Sequence, residues 1–131
     1  MGHRFTCRVY YEDTDLAGIV YYANYLKFIE RARSEWVRDR GINQTALKAD
    51  SGLVFAVRHL VADYLAPARF DDLLVVTTRL AELGGARIVL DQDVACDGRP
   101  LFSARVTLVA LNEAGRPARI TAALRARLAA E

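Results

Sequence analysis

The stretch YANYLKFIERARSEWVRDRG, residues 22–41, decides the fold. Tyr22, Tyr25, Leu26, Ile29, Ala32, Trp36 and Val37 fall three or four apart, while Lys27, Glu30, Arg31, Arg38 and Asp39 lie mostly elsewhere on the helical wheel. That spacing predicts an amphipathic helix of about four or five turns. Asn24 can cap its start, and Gly41 is placed to stop it. Upstream the period is two: Phe5, Cys7, Val9 and Tyr11 alternate with Thr6, Arg8 and Tyr10, a strand ended by the polar, glycine-containing residues 12–18. Downstream, past a polar connector over residues 42–52, runs rich in Val, Leu, Phe and Tyr occupy residues 53–65, 73–83, 87–96 and 101–111. Gly84-Gly85 and Asp97-Gly98 are two-residue hairpin signals, which makes the last three runs an antiparallel meander. Pro67 ends the run before them. Ile120, Leu124 and Leu128 recur every fourth residue, so residues 121–130 predict a short helix packed on a sheet edge or a partner subunit. One helix of roughly 25 Å beside four antiparallel strands is satisfied by a sheet that curls around it, an α+β architecture.

The chain has 131 residues, 53% of them hydrophobic and 26% charged, the size and balance of one globular domain over residues 1–131. A chain this long buries about two-thirds of the surface its unfolded form exposes, so it needs neither disulfides nor a structural metal. Cys7 and Cys96 form no Cys-x-x-Cys pair; they read as reduced core thiols, leave little room for a zinc site and point to the cytoplasm. Basic and acidic residues, 18 against 16, are interleaved and give a net charge of +2, which is no nucleic-acid footprint. The sequence opens without the apolar stretch of a signal peptide, and no run approaches the ~18 apolar residues of a membrane span.

Function has to come from a site, and one segment stands out: Tyr10-Tyr11-Glu12-Asp13-Thr14-Asp15-Leu16-Ala17-Gly18-Ile19-Val20-Tyr21-Tyr22. It sets Glu12, Asp13 and Asp15 in a loop just before the long helix. A calcium loop starting at Asp13 fails, because Ala17 and Asn24 then fall where a ligand oxygen and a bidentate Glu are needed. The acids can be solvated or can complement the positive end of the helix. Against that stand the apolar and aromatic neighbours Ile19, Val20, Tyr21 and Tyr22. A carboxylate there can act as base or nucleophile while free N–H groups at the helix start stabilise an oxyanion, which suits acyl transfer or hydrolysis.

The run Tyr-Tyr-Glu-Asp-Thr-Asp-x-x-Gly-x-Val-Tyr, with Asn24-Tyr25 and Glu30-Arg31-Ala32-Arg33, resembles the signature of the 4-hydroxybenzoyl-CoA thioesterase family of hotdog-fold enzymes, nearest to its YbgC-like acyl-CoA thioesterase branch. The similarity continues more weakly through Tyr64-x-Ala66-Pro67-Ala68-Arg69-x-Asp71-Asp72 and the strand meander. It implies a helix wrapped by a sheet, dimers or tetramers with active sites between subunits, and hydrolysis of acyl-CoA without metal or redox cofactor. It also implies that the catalytic carboxylate falls on Asp15 and the backbone oxyanion donor on Tyr22. Many YbgC-like members carry His at the position of Tyr22, whereas the 4-hydroxybenzoyl-CoA enzymes carry Tyr. A backbone donor survives either side chain, but substrate preference cannot be copied from either branch.

Coenzyme A needs cationic contacts for its phosphates, and Arg87, Arg119 and Arg116 are candidates. His59, in a strand run, and His3, in a mobile terminus, lie outside the loop and helix start, which disfavours a hydratase. Tyr21, Tyr25 and Trp36 are expected in the core or an interface, and Glu30 on a solvated face paired with Arg33. The competing reading is a non-catalytic module on the same fold that binds acyl carrier protein.

Overall fold

The computed structural model describes residues 2–130. Its strands are β1 (His3–Arg8), β2 (Val54–Tyr64), β3 (Leu73–Leu83), β4 (Arg87–Cys96) and β5 (Arg99–Leu111), and its helices are α1 (Asn24–Asp39), α2 (Gln44–Ser51) and α3 (Ala122–Ala129). The strands form one antiparallel sheet in the order β1-β3-β4-β5-β2, curled about α1. Register shifts at Val57/His59 in β2 and Leu80/Glu82 in β3 are bulges, which increase local twist and help a sheet to bend.

Alternation along β3, β4 and β5 sends Leu74, Val76, Leu90, Val94, Ala104 and Val106 inward, where they share one apolar cluster with Phe28, Ile29, Ala32 and Trp36 of α1. A buried polar tie crosses this interface. Gln92 is fully buried and donates through Nε2 to the Ile29 carbonyl and to Thr78 Oγ1, both at 2.9 Å, while its Oε1 accepts from Arg33 Nη1 at 3.0 Å. Thr78 lies directly opposite Gln92 in the β3–β4 register. On the other face Asp91 accepts two bonds from Arg105, its cross-strand partner, at 2.8 and 3.0 Å.

Gly41 ends α1 with a positive φ of 76°. Its N–H donates to the Arg38 carbonyl and that of Ile42 to the Val37 carbonyl, the paired bonds of a glycine C-terminal cap. Asp97 and Gly98 both have positive φ, as a two-residue hairpin turn of the mirror-image type requires. Thr121 caps α3, accepting from Leu124 N–H at 3.2 Å, and Leu124 and Leu128 are buried. Arg125 Nη2 donates to the Gly84 carbonyl at 2.7 Å, which seats α3 against the β3–β4 turn. Among the described residues no helix is long and apolar enough to cross a membrane.

Four expectations are corrected. Asn24 does not cap α1; it is the first helical residue, buried, and its Nδ2 donates to the Asp13 carbonyl at 2.9 Å. The connector over residues 42–52 contains α2, capped by Asn43, whose side chain accepts from Ala46 N–H, and closed by Gly52 at φ 70°. The β3–β4 turn spans residues 84–86, with Gly84 N–H donating to the Arg87 carbonyl, and neither Gly84 nor Gly85 has a positive φ. β1 stops at Arg8, and Tyr11–Asp13 forms a 3-10 turn.

Candidate active site

Between β1 and α1 the chain folds into a small hairpin, Thr14 bridging Val20, with Asp15 and Gly18 at its tip. Asp15 N–H donates to the Ile19 carbonyl and Gly18 N–H to the Asp15 carbonyl, both at 2.9 Å. Gly18 has a φ of 78°, which an L side chain rarely adopts. Asp15 Oδ1 accepts from Ala17 N–H at 2.9 Å, and Oδ2 has no partner among the described residues. One oxygen is therefore fixed and the other is available. Asp13 does a different job: its Oδ2 accepts from Tyr10 N–H at 2.8 Å, and its carbonyl accepts from Tyr21 N–H and from Asn24.

The second stretch of the resemblance braces the first. Ala68 donates its N–H to the Tyr25 hydroxyl at 2.9 Å and accepts at its carbonyl from Val20 N–H at 2.9 Å. Ile19 bridges Arg69, and Asp72 Oδ2 accepts from Arg69 N–H. Asp71 holds a positive φ of 71°, a conformation Asp tolerates better than most residues, and its N–H donates to the Val9 carbonyl. Residues 64–72 thus hold the hairpin and the start of α1 together.

The two segments enclose a cleft of about 360 Å³ with walls of Ile19, Val20, Tyr22, Tyr25, Tyr64, Leu65, Ala66 and Pro67. The N–H groups of the wall residue Tyr22 and of Ala23 after it have no acceptor among the described residues. These sit at the start of the 16-residue α1, whose dipole favours negative charge there. The hollow between α2 and the end of β5 is larger, about 690 Å³. The smaller cleft is the better candidate, because its mostly apolar walls are drawn from both the Asp15 hairpin and the start of α1.

A family model described as Thioesterase superfamily matches residues 17–103. The chain belongs to the thioesterase superfamily. Among its relatives, the acyl-CoA thioesterase YbgC of Haemophilus influenzae is 47% identical over 70% of this chain and 67% of its own length. The acyl-CoA thioester hydrolase YbgC of Escherichia coli O6:H1 is 41% identical over 81% and 78%. A probable thioesterase from Bartonella henselae, solved as a crystal structure, superposes with a TM-score of 0.88 at 41% identity, covering 92% of this chain and all of that one. The architecture is accordingly the hotdog fold of these thioesterases.

Within this thioesterase fold Asp15 and Tyr22 share the segment between β1 and α1, Tyr22 in the wall of the cleft and Asp15 in the hairpin whose Ile19 and Val20 line it, while Arg87 and Arg119 lie elsewhere. Arg87 opens β4 and pairs with Glu82 at 3.3 Å, and Ile120, next to Arg119, donates to the Gly85 carbonyl. Both arginines lie at the β3–β4 turn, the opposite end of the sheet from Tyr64. His59 is exposed beside the β2 bulge. His3 is not in a mobile terminus: it pairs with Thr78 in the sheet, and its ring meets Asp39 at 2.7 Å. Arg33 does not pair with Glu30 but turns inward to Gln92, where burial lowers its pKa, while Glu30 is exposed and accepts from Ser34. Tyr25 and Trp36 are core residues, whereas Tyr21 is half exposed. Burial pushes the Cys7 thiol up to about 11 and raises that of Cys96, which disfavours the reactive thiolate in both; Cys96 is buried in the core and Cys7 is partly buried against it. Tyr64 and Leu65, wall residues of the cleft, drew no role from sequence although the Tyr64-x-Ala66-Pro67 motif pointed at them.

Proposed function

We propose that this chain is a cytoplasmic acyl-CoA thioesterase that converts acyl-CoA and water to a free acid and coenzyme A. The reading is carried by an available carboxylate oxygen on Asp15, in the hairpin lining a mostly apolar cleft, together with the uncommitted N–H donors of Tyr22 and Ala23. The curated relatives named above support the same class. The acyl chain occupies the cleft, and the thioester carbonyl oxygen faces the N–H of Tyr22 and the start of α1, where charge developing on that oxygen is stabilised. Asp15 either attacks the carbonyl carbon, expelling the coenzyme A thiolate and leaving a mixed anhydride that water cleaves, or takes a proton from the attacking water.

The working molecule is a homodimer or homotetramer of hotdog domains. β2 is an edge strand with Val57 and Val61 about half exposed, and Leu16 beside Asp15 is fully exposed; a partner pairing along β2 covers such an edge. Antiparallel pairing of two β2 strands sets the Val54 end of the partner beside the Tyr64 end of this chain. Ala56, Val109 and Arg87 are aligned across β2, β5 and β4, so Arg87 and Arg119 reach coenzyme A phosphates only from the partner subunit. Thiol release measured across short aliphatic, long aliphatic and aromatic acyl-CoAs, with acyl carrier protein thioesters in parallel, tests the reading. Turnover of at least one acyl-CoA is expected. A flat response from folded protein overturns it and favours the binding module.

A further inference from the structure

We propose that Tyr64 is a positioning residue for this reaction: its hydroxyl, donated to the Tyr22 carbonyl, fixes the peptide planes that present the N–H donors at the start of α1. The proposal rests on the functional reading above and gives Tyr64, there only a wall of the cleft, a separate role at the start of α1. Tyr64 ends β2, and its hydroxyl lies 2.8 Å from the Tyr22 oxygen, a contact between residues 42 positions apart.

The ring that carries this hydroxyl is set by the core. It meets Tyr25 at 5.5 Å and Phe102 at 5.0 Å, and those two, both buried, stack on each other at 5.0 Å and 12°. Phe102 is also the register partner of Tyr64 in the sheet. At the other end of the contact Tyr21 is held by Asp13 and Asn24, and the Ala23 carbonyl by Leu26 N–H, which leaves the Tyr22–Ala23 peptide unit with no hydrogen bond but this one among the described residues. The N–H groups of Tyr22 and Ala23 are uncommitted, as oxyanion donors must be, so they cannot anchor their own planes. The Tyr22 carbonyl and the Ala23 N–H are two ends of one rigid peptide unit. Holding the carbonyl orients that N–H, restricts the Tyr22 Cα that carries the neighbouring donor, and polarises the amide into a stronger donor. Donors fixed before the reaction spend no reorganisation during it. Burial and the neighbouring Tyr22 and Tyr25 raise the Tyr64 pKa above its ordinary 10.0, so the hydroxyl remains a donor throughout the neutral range.

Tyr64→Phe keeps the ring contacts and removes only the hydroxyl. We expect kcat on the best acyl-CoA to fall about tenfold, the order of one hydrogen bond. KM should stay within about twofold, Tm should be nearly unchanged, and the amide signal of Ala23 should shift in a ¹H–¹⁵N spectrum. A variant with wild-type kcat and an unmoved Ala23 signal overturns the proposal. So does a loss that appears as a raised KM or a lowered Tm, since that marks a packing residue. Absence of turnover in the wild type overturns the functional reading, and the positioning role with it. It is distinct from failure of the tether alone, in which wild type and Tyr64→Phe turn over equally.

Discussion

Asp13 and Asp15 stand two residues apart and are chemically identical, yet their surroundings give them different work. Asp13 is a joint: its side chain and carbonyl tie Tyr10, Tyr21 and Asn24 together. Asn at this position retains an oxygen that can accept from Tyr10 N–H, so Asp13→Asn should keep turnover within about tenfold of wild type in a thiol-release assay, a loop effect of about 1.4 kcal/mol at most. Asp15, with one oxygen steered by Ala17 N–H and one free, is the residue whose charge the proposed chemistry needs. The proposed roles of Asp15 and Tyr22 come from the motif, and the structure adds the free carboxylate oxygen and the uncommitted N–H groups. Tyr64 was not legible as a partner of Tyr22, because a hydrogen bond from the end of an edge strand to a helix start leaves no trace in local periodicity.

At the scale of elements, α1 and the meander were plain from period 3.6, period 2 and two glycines, whereas α2 was not. None of its residues is buried, so it has no apolar stripe to reveal it; only Asn43 and Gly52, its two caps, carried the signal. The least legible element-level feature is Gln92, a polar residue amid a strand whose inward neighbours are Leu90 and Val94. It joins β4 to α1 and β3, and its removal strands Thr78 Oγ1 and the half-buried Arg33 guanidinium and takes a second donor from the Ile29 carbonyl. Gln92→Leu fits the space but satisfies none of them. A denaturant or thermal melt should show a loss of about 2–4 kcal/mol, the sum expected for groups left buried without partners. An unchanged melt would mean that the tie contributes nothing to holding α1 on the sheet.

The whole molecule leaves an open β2 edge and an exposed Leu16 next to the proposed catalytic carboxylate. Light scattering at micromolar concentration should therefore return at least twice the 14.6 kDa of one chain. A fully active monomer would contradict a site shared between subunits. Composition and pattern could not set this scale, since an edge that meets a partner and one that meets water are built from the same residues. Whatever the assembly, the proposed hydrolysis turns on the charge of Asp15. Its most direct measurement is thiol release from the best acyl-CoA by Asp15→Asn beside wild type and Asp13→Asn, with a thermal melt of each. The account predicts a fall of at least about a hundredfold in kcat for Asp15→Asn with the fold intact. Equal small losses in the two variants, or a large loss for Asp13→Asn alone, would contradict it.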